Sequence, residues 1–321
     1  MVNTKQALLQ ALSKADGEYI SGQQLAQQLG VSRAAIHKAA AALTAQGYAL
    51  EAVSRRGYKL LSKASFCAEA VGEYHAPIYV YDTLESSNRT AKQLAIDGAP
   101  HGTLVLAAHQ SAGRGRLGRR FESPAGKGVY LSLLLRPDMA VSNAQMVTVS
   151  AAVAVCHAVK ALCGLELDIK WVNDLYYNGK KVCGILTEAG SDVESGRLEW
   201  LVVGVGLNLT SAPDDWPKEL AHIAGSLYPG GPSPVGRAEL AGEIARQILA
   251  FCPKFECLDE YRERCFVPGH WVTVCTENTT YPAKALAIDD AGRLIIEHAN
   301  GRQEALYHGE VSIHPTNTML L

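Results

Sequence analysis

The sequence predicts an α/β protein that opens with a helix-turn-helix module and closes with a run of short strands. Near the N-terminus, apolar residues recur at helical spacing on either side of a turn at Gly30. Between residues 78 and 208, strand-like alternation is interrupted by two helical stretches. After Pro268-Gly269-His270, short strand patterns follow, with Gly292 and Gly301 between them. With 321 residues, 48% of them hydrophobic, the chain can bury a large core and is long enough for two or three domains.

Ala7, Leu8, Ala11 and Leu12 mark a first helix over residues 4–14, ended by Asp16-Gly17. Ser21 can cap a second helix that carries Leu25, Ala26 and Leu29 on one face. Gly30 ends it, and Ser32 caps a third helix from Arg33 to Leu43 with Ile36, Ala40 and Leu43 inward. Ser32, Arg33, Ala34, His37 and Lys38 fall at the start or on the polar side of that helix. There a recognition helix meets base edges and phosphates. Tyr48 to Val53 and Tyr58 to Leu61 read as a hairpin around Ser54-Arg55-Arg56-Gly57, a wing with Arg55 and Arg56 for phosphate. Residues 1–63 hold eight Lys and Arg against three Asp and Glu, a net of +5; the remainder holds 22 against 29, a net of −7. That segregation points to nucleic acid for the first module only. A helical module used for packing would explain the helices but not the basic wing. His37 and Ala39 to Ala42 offer few base-reading side chains. Ser62 to Ser65 read as a linker, and Cys67 to Tyr74 as a short helix.

The first residues, Met1 to Gln6, are polar and unlike a signal peptide. No apolar run is expected to reach membrane-spanning length, since Leu131 to Leu135 stops at Arg136-Pro137. The expectation is a cytoplasmic protein. The eight cysteines contain no Cys-x-x-Cys, and Cys252, Cys257 and Cys265 lack a matching pair for a zinc site. They read as reduced, mostly buried thiols, and no metal-ligating set is assigned.

In the body, Ile78 to Tyr81 alternates like a strand, and a helix follows from Arg89 to Asp97. Ser86, Ser87 and Asn88 lie at the turn between them, where they can cap the helix or face a polar ligand. Leu104 to Ala108 is a buried strand leading into His109-Gln110-Ser111-Ala112-Gly113-Arg114-Gly115-Arg116-Leu117-Gly118-Arg119-Arg120. Four arginines and no acid on a glycine loop repel one another unless an anion or an acidic neighbour sits between them. The loop reads as a cover for a phosphate-bearing small molecule. Gly113-x-Gly115-x-x-Gly118 matches the dinucleotide fingerprint in letters, but the strand Val129 to Leu135 follows it rather than a helix, so a Rossmann site is excluded. No phosphate-cradling Gly-x-x-x-x-Gly-Lys-Ser/Thr occurs.

A long apolar helix runs from Asn143 to Leu162. Ile169 to Tyr177 reads as one strand, Asn178-Gly179 as a two-residue hairpin turn, and Lys180 to Glu188 as the return. Lys170, Asn173, Asp174 and Lys181 are dense charged and polar insertions for an apolar hairpin and suggest a site wall. Leu198 to Val203 is a further strand, ending at Gly204-Val205-Gly206-Leu207-Asn208. Leu240 to Phe266 is helical, and Trp271 to Val274, Tyr281 to Ile288, Leu294 to Ile296 and Glu304 to Ile313 are strands. No convincing Ser-His-Asp or Cys-His set accompanies the ten His.

The arginine loop, Lys170-Trp171-Val172-Asn173-Asp174, Lys181-Val182-Cys183-Gly184-Ile185-Leu186 and Gly204-Val205-Gly206-Leu207-Asn208 together resemble the biotin protein ligases. With Gly30 to Lys38, the resemblance is to the bacterial bifunctional form, ligase and biotin operon repressor, and it runs from about residue 4 to the end. It implies a winged helix-turn-helix over 1–63, and over 64–267 a catalytic α/β domain like a class II aminoacyl-tRNA synthetase core. It implies an SH3-like β-barrel over 268–321. Carried over by position, it implies a biotin pocket of Ser86, Ser87, Asn88, Gln110, Gly113, Arg114, Arg116, Lys181 and Gly184. The nucleotide side would use Arg116, Arg119, Lys170, Asn173 and Asn208, with Lys181 and Arg116 as the catalytic cations. Val172 stands where many members have Pro, and Leu117 where some have a further basic residue.

The implied reaction joins biotin and ATP into biotinyl-5′-AMP, then transfers biotin to a lysine of a carboxyl carrier domain, with Mg²⁺ accompanying ATP. The loop would order over the adenylate, and adenylate binding would favour a homodimer that presents two recognition helices to a two-fold operator. The alternatives are a small-molecule-sensing repressor without ligase activity and a lipoate-type acyl ligase.

Overall fold

Ser21 accepts from the Gln24 amide at 3.2 Å, and the Gln24 side chain accepts in return from the Ser21 amide at 3.1 Å, which closes a capping box. This fixes the start of the second of three helices, α1 (Thr4–Lys14), α2 (Gly22–Leu29) and α3 (Arg33–Ala45). The computed structural model describes residues 4–15, 17–45, 50–60, 66–192, 194–252, 254–276, 279–307 and 309–313. Contacts divide it into one unit of Met1–Tyr74 with Pro234–Gly242 and another of His75–Ser233 with Glu243–Leu321.

In the first unit, Gly30 takes φ 65°, the left-handed conformation that ends α2. Ser32 Oγ accepts from the Ala35 amide at 3.1 Å and starts α3. Leu8, Leu12, Leu25, Ile36 and Leu43 form its core. Strands β1 (Leu50–Val53) and β2 (Gly57–Leu60) pair antiparallel, so the winged helix-turn-helix is present. Tyr48, Ala49 and the expected linker Ser62 to Ser65 lie outside the described residues. The short helix expected over Cys67 to Tyr74 is a 3-10 turn, Ala68–Val71.

The second unit is built on a seven-stranded sheet of β3 (Ile78–Tyr81), β4 (Leu104–Ala107), β5 (Gly128–Leu135), β6 (Asp168–Lys170), β7 (Asp174–Tyr177), β8 (Lys180–Ser191) and β9 (Leu198–Asn208). Its spatial order is β3-β4-β5-β9-β8-β7-β6, and every pair except β3–β4 is antiparallel. Helix α4 (Ser87–Ile96) lies on one face, with Ala91 and Ala95 against Val105, Leu134 and Val202. Helix α5 (Ala144–Cys163) lies on the other, where Thr148 hydrogen-bonds Thr187 at 2.8 Å. Contrary to expectation, the segment Val141–Cys163 is long and apolar enough by composition to cross a membrane. Here every residue from Val147 to Cys156 is buried, as in a core helix.

Ile169 to Tyr177 is not one strand. It breaks at Trp171-Val172-Asn173, and β6 folds back on β7 with Ile169 opposite Leu175. Trp171 is buried, its indole donating to the Gly292 carbonyl at 3.0 Å, so anchoring outside the hairpin overrides the local alternation. The Asn178-Gly179 turn holds as expected, with φ 49° and 73°. The expected helix from Leu240 to Phe266 is two, α6 (Arg237–Phe251) and α7 (Leu258–Arg264), separated around Phe255, whose φ is 53°.

Strands β10 (Trp271–Cys275), β11 (Thr280–Ile288), β12 (Leu294–Glu297), β13 (Gln303–Leu306) and β14 (Glu310–Ile313) form an antiparallel sheet ordered β14-β10-β11-β12-β13. This is the strand order of an SH3-like fold, its fifth strand beside its first. The stretch Glu304 to Ile313, expected as one strand, divides into β13 and β14 because its two halves pair with different neighbours.

Candidate active site

Pleating decides which residues can reach one another across the sheet. Because side chains alternate between faces, residues directly opposite in neighbouring strands share a face. One cross-strand row is Val105, Ser132, Gly204 and Leu186; the next is Ala107, Tyr130, Gly206, Gly184 and Asp174. Val105 faces α4, so both rows lie on the α4 side. Gly204 and the Gly206–Gly184 pair leave a shallow floor. A cavity of about 320 Å³ opens over it, roofed by the arginine loop and edged by β7, the 216–224 segment and β14.

Lysine 181 reaches this floor through an irregularity. Counted by strict alternation from Gly184, it would face the α5 side with Cys183. Between Leu175 and Tyr176 the β7–β8 register shifts, so that Leu175 pairs with Cys183 but Tyr176 pairs with Lys181. The bulge turns Lys181 to the cavity side, a known use of bulges beside functional sites. Its Nζ then lies 2.6 Å from Asp174 Oδ1.

At one end of the cavity, the polar residues at the α4 N-terminus are locked together. Gln110 Oε1 accepts from the Ser87 amide at 2.8 Å and the Ser87 hydroxyl at 3.1 Å, while Gln110 Nε2 donates to Ser123 Oγ at 3.0 Å. Ser86, Ser87, Asn88 and Gln110 are all more than nine-tenths buried and line the cavity. At the other end, Arg116 donates to Asn173 Oδ1 at 3.0 Å, and Asn173 Nδ2 donates to the Ile185 carbonyl at 2.8 Å. Lys170 joins them. Burial lowers the affinity of Lys170 and Arg116 for their protons, while the charges of Asp174 and Glu310 work in the opposite direction. A polar pocket at one end, and Lys170, Lys181 and Arg116 near the carboxylates of Asp174 and Glu310 at the other, suit a ligand with a neutral hydrogen-bonding head and an anionic tail.

Arginine repulsion in the loop is met by acids within the chain. Arg119 donates to Glu310 at 2.6 Å, and Arg120 pairs with Glu122 at 3.2 Å. The loop is a folded hairpin, with Arg114 bridged to Arg120, the Gly115 amide donating to the Arg119 carbonyl at 2.8 Å, and Leu117 at φ 53°.

Twelve of the residues that the sequence nominated for biotin and nucleotide line the cavity; Gly113 does not. The Gly113 carbonyl accepts from the Phe121 amide at 2.9 Å, and a Cβ at Gly113 would lie 2.3 Å from the Phe121 carbonyl, so its place is to close the loop. Asn88 lines the cavity, but both ends of its amide are engaged within the protein. Asn208 donates to the Gly225 carbonyl at 2.9 Å, and its buried Oδ1 has no partner among the described residues. Sequence reading missed Phe121, whose ring lies over Gly184 and Gly206, and it missed Tyr176, Glu310 and the 216–224 segment on the cavity wall and Ser132 behind Ser87. Only Ser132 carried a signal, as one hydroxyl inside the apolar run Leu131 to Leu135.

On the N-terminal unit, Ser32, Arg33, Ala34, His37 and Lys38 are all exposed, on the side of α3 opposite Ile36, Ala40 and Leu43. Arg55 is exposed at the wing tip. Arg56 is exposed as well, with its guanidinium 4.3 Å from the centre of the Tyr19 ring.

Comparison with known proteins agrees with this geometry. Residues 80–208 match the biotin/lipoate A/B protein ligase family, residues 4–59 an HTH domain, and residues 269–313 the biotin protein ligase C terminal domain. The chain is 36% identical to the bifunctional ligase/repressor BirA of Bacillus subtilis, over 95% of this chain and 97% of that protein. It is 39% identical to the biotin–[acetyl-CoA-carboxylase] ligase of Paracoccus denitrificans, over 68% of this chain and 93% of the relative. The fold is shared with the biotin protein ligase from Aquifex aeolicus solved with biotin and ATP, at a TM-score of 0.60 and 24% identity, covering 74% of this chain and 98% of that one. The chain belongs to the biotin protein ligase family, on the branch of the bifunctional ligase/repressors.

Proposed function

We infer that this protein is an ATP-dependent, AMP-forming biotin protein ligase and a biotin-responsive transcriptional repressor. The observation that carries the ligase reading is the convergence of Lys181, Arg116 and Lys170 at one end of a cavity whose other end holds Ser87 and Gln110. A neutral ureido ring fits the polar end, which leaves the carboxylate of biotin's valeryl chain among the cations. Family membership supports ATP as the second substrate.

In the first step a biotin carboxylate oxygen attacks the α-phosphorus of ATP. A P–O bond forms, the bond to the β-phosphate bridging oxygen breaks, and pyrophosphate leaves with that electron pair. Both reactants are anions, so their approach is opposed until cations hold them together. Lys181 and Arg116 do this, and Lys170 and Asn173 take the phosphate side. The orphaned Asn208 Oδ1 suits a donor such as an adenine amino group. Asp174 holds Lys181 ahead of the reaction, in the place an anion then shares.

In the second step a carrier lysine amine attacks the carbonyl carbon of the mixed anhydride. An amide forms, the C–O bond to phosphate breaks, and AMP leaves. The anhydride is prone to hydrolysis, and the arginine loop over the cavity keeps water from it. Mg²⁺ bound to ATP would supply further charge neutralisation on the triphosphate. The carboxylates of Asp174 and Glu310 are already paired with cations, which suits an ion held chiefly by the triphosphate.

For repression, we assign DNA contact to Ser32, Arg33, Ala34, His37, Lys38, Arg55 and Arg56 in residues 1–63. Ligation belongs to 64–267, with Glu310 of the 268–321 segment bracing Arg119. Adenylate-linked homodimers place two such modules on a two-fold operator. Incubation of the chain with ATP, radiolabelled biotin and an unmodified carrier domain tests the ligase. Label in the carrier supports it. A biotin-binding repressor without catalysis, or a lipoate ligase, leaves the carrier unlabelled. A biotin-dependent operator shift that weakens with salt tests the repressor.

A further inference from the structure

Behind the polar end of the cavity, a hydrogen-bonded row runs from Ser87 to the half-buried pair Lys92 and Glu188. Lys92 Nζ lies 2.5 Å from Glu188 Oε1. Asn88 Nδ2 donates to Glu188 Oε2 at 2.8 Å and to the Leu186 carbonyl at 3.2 Å. Ser132 Oγ lies 2.6 Å from Asn88 Oδ1 and 2.8 Å from Ser87 Oγ. Ser132 is fully buried in β5, and Asn88 lies flat against Gly204, where a Cβ would come within 2.1 Å of its Oδ1.

Donor and acceptor rules give this row a direction. Glu188 and the Leu186 carbonyl only accept, so the Asn88 amide must turn its NH₂ toward them. The reversed amide would set oxygen against a carboxylate. Asn88 Oδ1 therefore faces Ser132, and the single Ser132 proton goes to it. Ser132 can then only accept from Ser87. The Ser87 proton goes to Ser132 or to Gln110 Oε1, and in both cases it stays within the protein. The Ser87 oxygen is left with lone pairs alone to offer the cavity.

We propose that Glu188, held by Lys92, is a positioning residue that acts through Asn88 and Ser132 to make Ser87 an obligate acceptor, so that the polar end selects a head group carrying an N–H donor. This rests on the reading of the cavity as the biotin site. The groups facing Glu188 are Lys92 and Asn88 from α4 and Arg114 from the loop; Val202, opposite it on β9, is uncharged. Together they keep Glu188 ionised, and an ionised Glu188 cannot donate to Asn88.

Glu188→Gln is nearly isosteric but can donate to Asn88. The amide is then free to reverse, Ser132 can donate to Ser87, and the Ser87 proton can point into the cavity. The test uses the full-length chain in steady-state biotinylation of a carrier domain. The expected result for E188Q is a biotin KM raised about tenfold, the scale of one mispaired buried hydrogen bond, with kcat and the ATP KM within about twofold of the parent. Discrimination against biotin methylated on a ureido nitrogen should fall in the same variant.

Lys92→Met keeps the carboxylate and removes its partner. In K92M the rise of biotin KM on acidification should begin at a higher pH than in the parent, and this arm stands if E188Q does not fold. An unchanged biotin KM in folded E188Q, a fall in kcat with biotin KM unchanged, or parental pH dependence in K92M overturns the proposal while leaving the ligase reading in place. A parent chain that neither labels carrier nor binds biotin overturns both.

Discussion

Lys181 Nζ sits 2.6 Å from Asp174 Oδ1, across the β7–β8 bulge. The side chain is thus held extended into the cavity rather than left to sample its rotamers. Replacing Lys181 by Ala should lower adenylate formation by about 100-fold or more, the scale of losing a charge that stabilises a transition state. Biotin binding should largely survive. Pyrophosphate release measures the first and equilibrium dialysis with labelled biotin the second; parental adenylation in the variant would refute the assignment.

Arg116 joins the loop to the β6–β7 turn through Asn173, its one described hydrogen bond to a side chain. Arg116→Gly removes that tie and adds backbone freedom to a loop already rich in glycine. The adenylate should escape at least about tenfold faster, the equivalent of about 1.4 kcal/mol. Release of labelled adenylate from a preformed complex checks this, and an unchanged rate would end the idea of the loop as a cover.

Gly204 and Gly184 lie on the same floor but differ in what a methyl group would meet. At Gly204 it would lie 2.1 Å from Asn88 Oδ1, and Asn88 is fixed by three hydrogen bonds. At Gly184 the nearest atom is a Phe121 ring carbon at 3.3 Å, which can give way. Gly204→Ala should cost about 1–3 kcal/mol of stability, in the range of an overpacked core, and Gly184→Ala less. Urea unfolding of the two variants compares them.

Burial pushes the Glu188 carboxyl up, but hydrogen bonds from Lys92 and Asn88 and the charges of Lys92 and Arg114 outweigh it and hold it below the usual carboxylate range. A carboxylate depressed in the folded state stabilises the protein at pH values above its unfolded value. That contribution is lost as pH falls through the lower, folded-state value. Parent stability should therefore drop below pH 4.5 more steeply than that of Glu188→Gln. Urea midpoints between pH 7 and pH 3 give the comparison, and parallel curves would contradict it.

The two wing arginines should not behave alike. Both are exposed, but Arg56 stacks on Tyr19. Arg55→Ala should reduce the slope of log affinity against log salt by about one, as for a lost phosphate contact. Arg56→Ala should, besides losing its own phosphate contact, lower the stability of the N-terminal unit, because it uncovers the Tyr19 ring. Operator titrations at several salt concentrations and thermal unfolding separate the two effects.

Much of this was legible in the residues. Helical spacing with Ser21, Gly30 and Ser32 determined the helix-turn-helix, because caps and a left-handed glycine act within a few residues. Asn178-Gly179 determined its hairpin for the same reason. The density of Lys170, Asn173, Asp174 and Lys181 marked a site wall, because charge on an apolar hairpin needs a partner or a ligand. Tertiary structure decided what depends on distant pairing. Trp171, buried against the Gly292 carbonyl, broke one expected strand into two. A one-residue bulge turned Lys181 from the face of Cys183 to that of Asp174 and Gly184. Glycines 184 and 206, separated by 21 residues, became one floor under Phe121. Local sequence carries torsional preference and polarity; register between strands sets which faces meet, and that energy comes from partners far along the chain.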